Sequence, residues 1–263
     1  MLSRKTELAR LGTKLRDVGG LTLSCAHCHL RSRCLPSGLS LDELGEMREV
    51  APRQRRVARG EALYQAGDSC HSIYAVRLGF FKSYVVTQDG RSQITGFQMA
   101  GDILGLDGAD TGTHTQSVVA LEVSDVCVFS YAKLETAAGN LQALQHKVRC
   151  VMSREIAREH AMMVLLGTAR AEERVAAFLL NLSERYGELG YSEGEFNLRM
   201  TREEMGSYLG LKLETVSRMF SHFQECGLIT AQHRYVHILD RPKLARLAGR
   251  NVLPDIHETR MSQ

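Results

Sequence analysis

Ten residues near the start of the chain hold its most reactive chemistry. Cys25, Cys28 and Cys34 are spaced C-x2-C-x5-C, and His27 and His29 lie among them. Thiolates and imidazoles are the ligands of iron and zinc, and three thiols flanked by two histidines are hard to account for as packing. Cys127 lies 93 residues beyond Cys34, in a stretch whose composition predicts a strand. Three clustered thiolates and a distant fourth can complete a four-thiolate site for an iron–sulfur cluster or for zinc. Spacing does not separate the two, although structural zinc sites usually pair two C-x2-C units and only one is present. His27 and His29 are stand-in ligands if Cys127 is not the fourth; taken alone, Cys127 reads better as a small buried hydrophobe. Cys70, Cys150 and Cys226 lack clustered partners and read as structural thiols.

A second constellation lies toward the other end. Thr201 followed by Glu204 predicts a capping box that starts a helix, and Gly210 stops it. A second helix is expected from Glu214 to about Glu225, with Val216, Met219, Phe220 and Phe223 as its buried stripe. Leu228–Thr230 and Tyr235–Leu239 then read as a β-hairpin. Two short helices joined at a glycine and followed by a hairpin make a winged helix-turn-helix. Glu214, Ser217 and Arg218 stand at i, i+3 and i+4, so they project together near the helix N-terminus, the end that meets base edges. Arginine can fork onto guanine O6 and N7, glutamate can accept from a base amino group, and serine is a short adaptable contact. The plainer alternative is a solvated face with a Glu–Arg pair worth a few tenths of a kcal/mol.

The elements that must position these groups follow from composition and periodicity. The chain has 263 residues, enough for about two domains. Its 44% hydrophobic and 24% charged content excludes disorder, collagen-like repeats and a disulfide miniprotein. No apolar run approaches the roughly 20 residues that cross a bilayer, and no apolar core follows the basic first residues, so neither membrane nor secretory signal is expected. A cytoplasmic, reducing location makes seven cysteines suggest metal or redox chemistry before disulfides. Net charge is only +3, and residues 170–250 carry 12 Lys/Arg against 11 Asp/Glu. DNA binding therefore rests on the motif and not on bulk charge.

Nine glycines between Gly60 and Gly112 punctuate short β-rich stretches at Ser72–Val76, Phe80–Val86, Gln93–Phe97, Ser117–Leu121 and Val123–Phe129. Asp89-Gly90 reads as a hairpin turn. These stretches predict a barrel or jelly-roll-like β-roll, with a short helix at Ser40–Arg48. Asn140–Leu166 contains no glycine or proline and carries apolar residues at helical spacing from Leu141 and Leu144 onward. Val148, Met152, Ile156, Met163 and Leu166 form a narrow stripe, expected to be a dimer seam, with Glu159 falling on it. The alternative is that the helix packs on its own β domain. Across a symmetric seam Glu159 would meet its mate or swing to solvent. The fold class expected is α+β: an N-terminal arm with the cysteines over 1–38, a β-roll sensory domain over 39–135 and a dimerisation helix over 136–170. A winged helix-turn-helix follows over 171–250, and then a tail over 251–263.

Together these pieces resemble the CRP/FNR superfamily of transcription regulators, and within it the FNR branch, over about Leu23–Gly249. The resemblance rests on the cysteine cluster, the distant Cys127, Gly60-Glu61-Ala-Leu-Tyr-Gln-Ala-Gly67-Asp68, Gln93-Ile-Thr-Gly-Phe97 and Gly101-Asp-Ile-Leu-Gly105. It also includes Ala171-Glu-Glu-Arg-Val-Ala-Ala-Phe178 and Glu214-Thr-Val-Ser-Arg218. It implies that Cys25, Cys28, Cys34 and Cys127 ligate an oxygen-labile [4Fe–4S] cluster, and that the cluster-bearing homodimer binds double-stranded DNA. Glu214, Ser217 and Arg218 would read a TTGAT-type half-site in an inverted repeat, and the loop around Thr87–Arg91 would touch RNA polymerase. Cyclic-nucleotide binders of the superfamily carry a Glu after the Gly-x-x-x-Gly turn and an Arg-Ser pair further on. Here Leu106-Asp107 follows Gly105 and the later segment reads His114-Thr-Gln-Ser117, so no cyclic nucleotide is expected. His29 and Arg33 are bulkier than the family's usual neighbours of these thiols and bear on oxygen sensitivity. The competing expectation is a zinc- or thiol-redox-controlled regulator of the same fold. A haem or nitric-oxide sensor would not need the cysteine trio. No enzyme is expected: there is no Ser-His-Asp context, Walker loop or His-Glu-x-x-His.

Overall fold

Short β-branched segments separated by glycine turns pair into two four-stranded antiparallel sheets. In the computed structural model, which describes residues 25, 28–40, 43–44, 50 and 53–249, one sheet runs β1-β8-β3-β6 and the other β2-β7-β4-β5. The strands are β1 (Arg53–Val57), β2 (Ala62–Tyr64), β3 (Ser72–Leu78), β4 (Phe80–Val86), β5 (Ser92–Met99), β6 (Ile103–Leu104), β7 (Ser117–Ala120) and β8 (Ser124–Ser130). All five expected stretches are strands, and Gly90 takes φ +80° in the β4–β5 turn. The sequence reading missed β1, whose Arg-Gln-Arg-Arg run hides an edge strand. It also missed β2 and β6, which are too short to show a period. Val57, Val76, Phe81, Val118 and Val126 fill the space between the sheets.

Two helices follow: α1 (Tyr131–Asn140), which was not anticipated, and α2 (Gln142–Thr168). The second is the long helix expected from residue 140. The C-terminal unit comprises α3 (Ala171–Glu188), β9 (Glu195–Asn197), α4 (Arg202–Leu209), α5 (Leu213–Glu225), β10 (Ile229–Gln232), β11 (Tyr235–Ile238) and α6 (Arg241–Ala248). The wing has three strands, ordered β10-β11-β9, because Glu195–Asn197 pairs with β11 and adds a strand to the expected hairpin. The expected helix at Ser40–Arg48 is helical at Glu43 and Leu44. Its remainder, like residues 1–24 and 251–263, lies outside the described residues. Among the described residues no helix is long and apolar enough to cross a membrane.

The core joins the two halves. Phe80, Ile94, Phe97 and Met99 of the β-roll share one buried cluster with Leu165 of α2 and with Phe178, Leu182, Met205, Tyr208, Val216, Phe220 and Phe223. Phe97 meets Phe178 and Tyr208 edge-on, at ring-centroid separations of 5.9 and 5.2 Å. Polar contacts reinforce the seam: Lys82 Nζ lies 2.7 Å from Glu204 Oε1, and Ile94 N donates to Ser207 Oγ at 2.9 Å.

Candidate functional site

The sulfur loop is a run of tight turns. Arg31 N donates to Cys28 O at 3.0 Å, Cys34 N to Leu30 O at 2.9 Å and Ser37 N to Cys34 O at 3.0 Å. Leu30, Leu35 and Leu39 are buried beneath it and fix it to the protein. Cys127 sits mid-strand on β8, opposite Gln54 of β1 and Ala75 of β3. Cys34 and Cys127 pack against the same apolar cluster, formed by Leu35, Ile73, Ala75, Phe129, Leu134, Leu141 and Leu144.

The thiols feel one another. Burial pushes Cys34 up to about 12, with the charges of Cys127, Cys25 and Cys28 adding to the rise. Burial first, and then the charges of Cys25 and Cys28, raise Cys127 to about 11, with Arg77 opposing them. Cys25 is raised by burial and then by Cys28. The tertiary structure thus brings the distant Cys127 to the apolar cluster on which Cys34 also packs, where the thiols' charges raise one another. All seven cysteines are free thiols, and among the described residues no three His, Cys, Asp or Glu side chains converge in metal-ligand geometry. The donor chemistry, four thiols of which Cys34 and Cys127 share an apolar bed, fits a thiolate-held cluster. His29 is exposed and His27 lies outside the described residues. Of the thiols read as structural, Cys70 is buried and Cys150 half-buried. Cys226 is exposed as the residue that ends α5, so packing does not account for it.

At the other end, local sequence chemistry builds the helix pair. Glu204 N donates to Thr201 Oγ1 at 3.1 Å and Thr201 N to Glu204 Oε2 at 2.7 Å, a reciprocal cap. Gly210 closes α4 at φ +64°. Gly206 lets the turn fold back, since a Cβ there would stand 2.6 Å from Leu211 O. Val216, Phe220 and Phe223 seat α5, leaving Glu214, Ser217 and Arg218 exposed together at its N-terminal end. One positioning residue escaped sequence reasoning. Arg174 donates to Leu166 O at 2.7 Å, Ala169 O at 2.9 Å and Leu209 O at 3.0 Å, tying the ends of α2 and α4 to α3. Its signal was an arginine amid the apolar repeat of Ala171–Phe178.

The long helix divides along its length. Leu141 and Leu144 are buried and Val148 half-buried, all against the β-roll cluster. Met152 is 43% exposed, Ile156 54% and Met163 69%, and Glu159 is exposed among them. Leu166 is half-buried beside Gly210. The first turns therefore pack on the helix's own β domain, and the middle leaves an exposed apolar stripe.

In the β-roll, Asp107 occupies the turn after Gly105. It accepts from Thr115 N at 2.8 Å and Gln116 N at 3.3 Å, and His114 Nδ1 lies 3.1 Å away. Tyr64 stacks on His114 at 3.7 Å.

Comparison with known proteins agrees with these parts. Residues 54–139 match the cyclic nucleotide-binding domain family and residues 173–247 the Crp-like helix-turn-helix domain family. The transcriptional regulatory protein btr of Bordetella pertussis is 46% identical over 225 residues, covering 86% of this chain and 93% of that protein. The fumarate and nitrate reduction regulatory protein of Escherichia coli is 40% identical over 236 residues, 89% of this chain and 94% of its own. The structure of FixK2 from Bradyrhizobium japonicum superposes with a TM-score of 0.69 at 31% identity, covering 74% of this chain and 96% of that one.

Proposed function

Because the chain belongs to the CRP/FNR family of DNA-binding transcription regulators, as an FNR-type member, we propose that it is a cytoplasmic oxygen-responsive regulator. In this reading Cys25, Cys28, Cys34 and Cys127 hold a [4Fe–4S] cluster, and the arm over 1–38 and the β-roll over 39–135 form the sensory half. The helix over 136–170 makes the homodimer, and the unit over 171–250 binds DNA. When bound, the cluster supplies an oxygen-labile cross-link among four thiolates.

The observation that supports the reading best is that Cys127, 93 positions beyond Cys34 in the chain, packs with Cys34 against one apolar cluster. A four-thiolate donor set has no carboxylate that would favour a harder cation. The remaining work falls to the chain's own residues. Tying Cys34 to Cys127 fixes the sulfur loop on the bed of Leu35, Leu134, Leu141 and Leu144, and so fixes the first turns of α2. A steadied α2 presents Met152, Ile156 and Met163 to a second copy, with Val148 and Leu166 at the ends of the seam. Glu159 faces its mate there and keeps the unassisted dimer marginal, since like charges at an interface cost stability. Arg174 holds the end of α2 to the helix-turn-helix, so pairing of α2 sets the spacing of two α5 helices. Recognition helices about 34 Å apart meet an inverted repeat, here of TTGAT type, through Glu214, Ser217 and Arg218. The Thr87–Arg91 loop is the surface offered to RNA polymerase. Cyclic nucleotide is disfavoured because Asp107 already engages Thr115 N and Gln116 N, and a phosphate there would face that carboxylate.

The test is iron and sulfide analysis of oxygen-free preparations of wild type and Cys127→Ser, with operator binding measured alongside. Wild type is expected to be brown and to bind the repeat, and the variant to lose both. Zinc in place of iron, or equal operator affinity after metal is stripped, overturns the reading.

A further inference from the structure

The loop between Cys28 and Cys34 touches the DNA-binding unit directly. Arg33 Nη1 stands 2.6 Å from Glu188 Oε2, with the two side chains only 18% and 15% exposed. Glu188 is the last residue of α3, where the helix's free carbonyls repel a carboxylate, and Arg33 offsets that repulsion. The stem of Arg33 lies over Gly101. One residue further on, Asp102 grips Arg185, which stands three residues before Glu188 on the same face of α3. Asp102 is itself fixed in its turn, accepting from Met99 N at 2.8 Å, and Arg185 also donates to Phe97 O at 3.1 Å. Arg158 of α2 reaches the same cluster, 4.0 Å from Asp102 and 3.6 Å from Glu155. Among the described contacts, the C-terminal turn of α3 therefore meets the N-terminal half through two acid–arginine pairs. One is on a turn locked by the β-roll, and the other is on the sulfur loop.

Resting on the reading of that loop as the sensory site, we propose that the Arg33–Glu188 pair is a strap that carries order in the sulfur loop to the DNA-binding unit within one protomer, in parallel with the dimer helix. A fixed loop presents Arg33 at a fixed point and holds α3, on which α5 and α6 pack. A loosened loop releases Arg33 to water, where an ion pair contributes little. α3 then keeps its hold on the Asp102 turn but loses the one on the sulfur loop.

Glu188→Gln keeps the side chain's size, removes its charge and lies far in sequence from every thiol. Backbone hydrogen exchange over Arg185–Leu189 is compared between anaerobic iron-loaded protein and the same protein stripped of iron. In wild type, stripping is expected to speed exchange about ten-fold. In Glu188→Gln the loaded and stripped rates coincide. Its loaded form binds the operator roughly three- to ten-fold more weakly, with unchanged iron content and dimer fraction. The reversed pair Arg33→Glu with Glu188→Arg restores the iron-dependent difference; if it does not load iron, the Glu188→Gln comparison decides alone. An iron-dependent difference as large in Glu188→Gln as in wild type overturns the strap. Absence of iron from wild type overturns the sensory reading, and the strap with it.

Discussion

Ile156→Ala and Leu144→Ala, about three turns apart on α2, are expected to fail in opposite ways. Leu144 is fully buried against the β-roll, while Ile156 is 54% exposed. Burying a whole isoleucine side chain is worth about 1.5–3 kcal/mol. About half of that remains open on the protomer, so a symmetric dimer gains about 1.5–3 kcal/mol from the two copies. Alanine keeps one methyl-sized group, so about 1–2 kcal/mol of association is lost, about 5–30-fold in the dimer Kd. Protomer stability should fall by no more than about 1 kcal/mol, since only half of the side chain is covered and alanine is the better helix former. Leu144→Ala instead removes about 2–5 kcal/mol from the protomer by opening a cavity. Sedimentation equilibrium of anaerobic protein over a concentration series gives the dimer Kd, and urea unfolding gives protomer stability. An unchanged Kd for Ile156→Ala, or a stability loss equal to that of Leu144→Ala, would refute the claim that the two ends of α2 face different partners.

Arg218→Ala should relax discrimination at one guanine of the half-site by about 1–3 kcal/mol in competition binding; an equal loss on every sequence would make Arg218 a phosphate contact instead. Glu159→Ala should yield dimers in air, since it removes the repulsion across the seam; monomers alone in light scattering would reject that role for the carboxylate. The pH dependence of metal-free protein follows from the buried thiols. Cys34 and Cys127 are raised from an ordinary 9.0 to about 12 and about 11, so folding favours their protonated forms. Their contribution is complete below about 9 and is lost as pH rises through the folded values. The urea midpoint should therefore fall between about pH 9 and 12, more steeply in wild type than in a Cys34→Ser, Cys127→Ser double variant; parallel profiles would contradict it.

What local chemistry dictates was legible from the chain. The Thr201–Glu204 cap, the stop at Gly210, the α5 stripe and the Asp89-Gly90 turn are each set by neighbours within a few residues, so spacing alone located them. The exposed trio Glu214, Ser217 and Arg218 follows from the same helical period. What the chain could not display were pairings between distant segments. An edge strand written as Arg-Gln-Arg-Arg carries no hydrophobic alternation, because its identity comes from hydrogen bonds to β8. The wing's third strand exists only through β11. The stripe on α2 has one period along its length. Only the docking of its first turns on Leu35, Phe129 and Leu134 divides a buried part from an exposed one. Contacts such as Arg33 with Glu188 or Asp102 with Arg185 join residues whose types are ordinary and whose separation in the chain is large. Helix caps and turns are settled within one turn of chain, so sequence suffices for them. Which charge meets which, and which apolar face is left open, depends on how whole sheets and helices pack, and only the tertiary structure decides it.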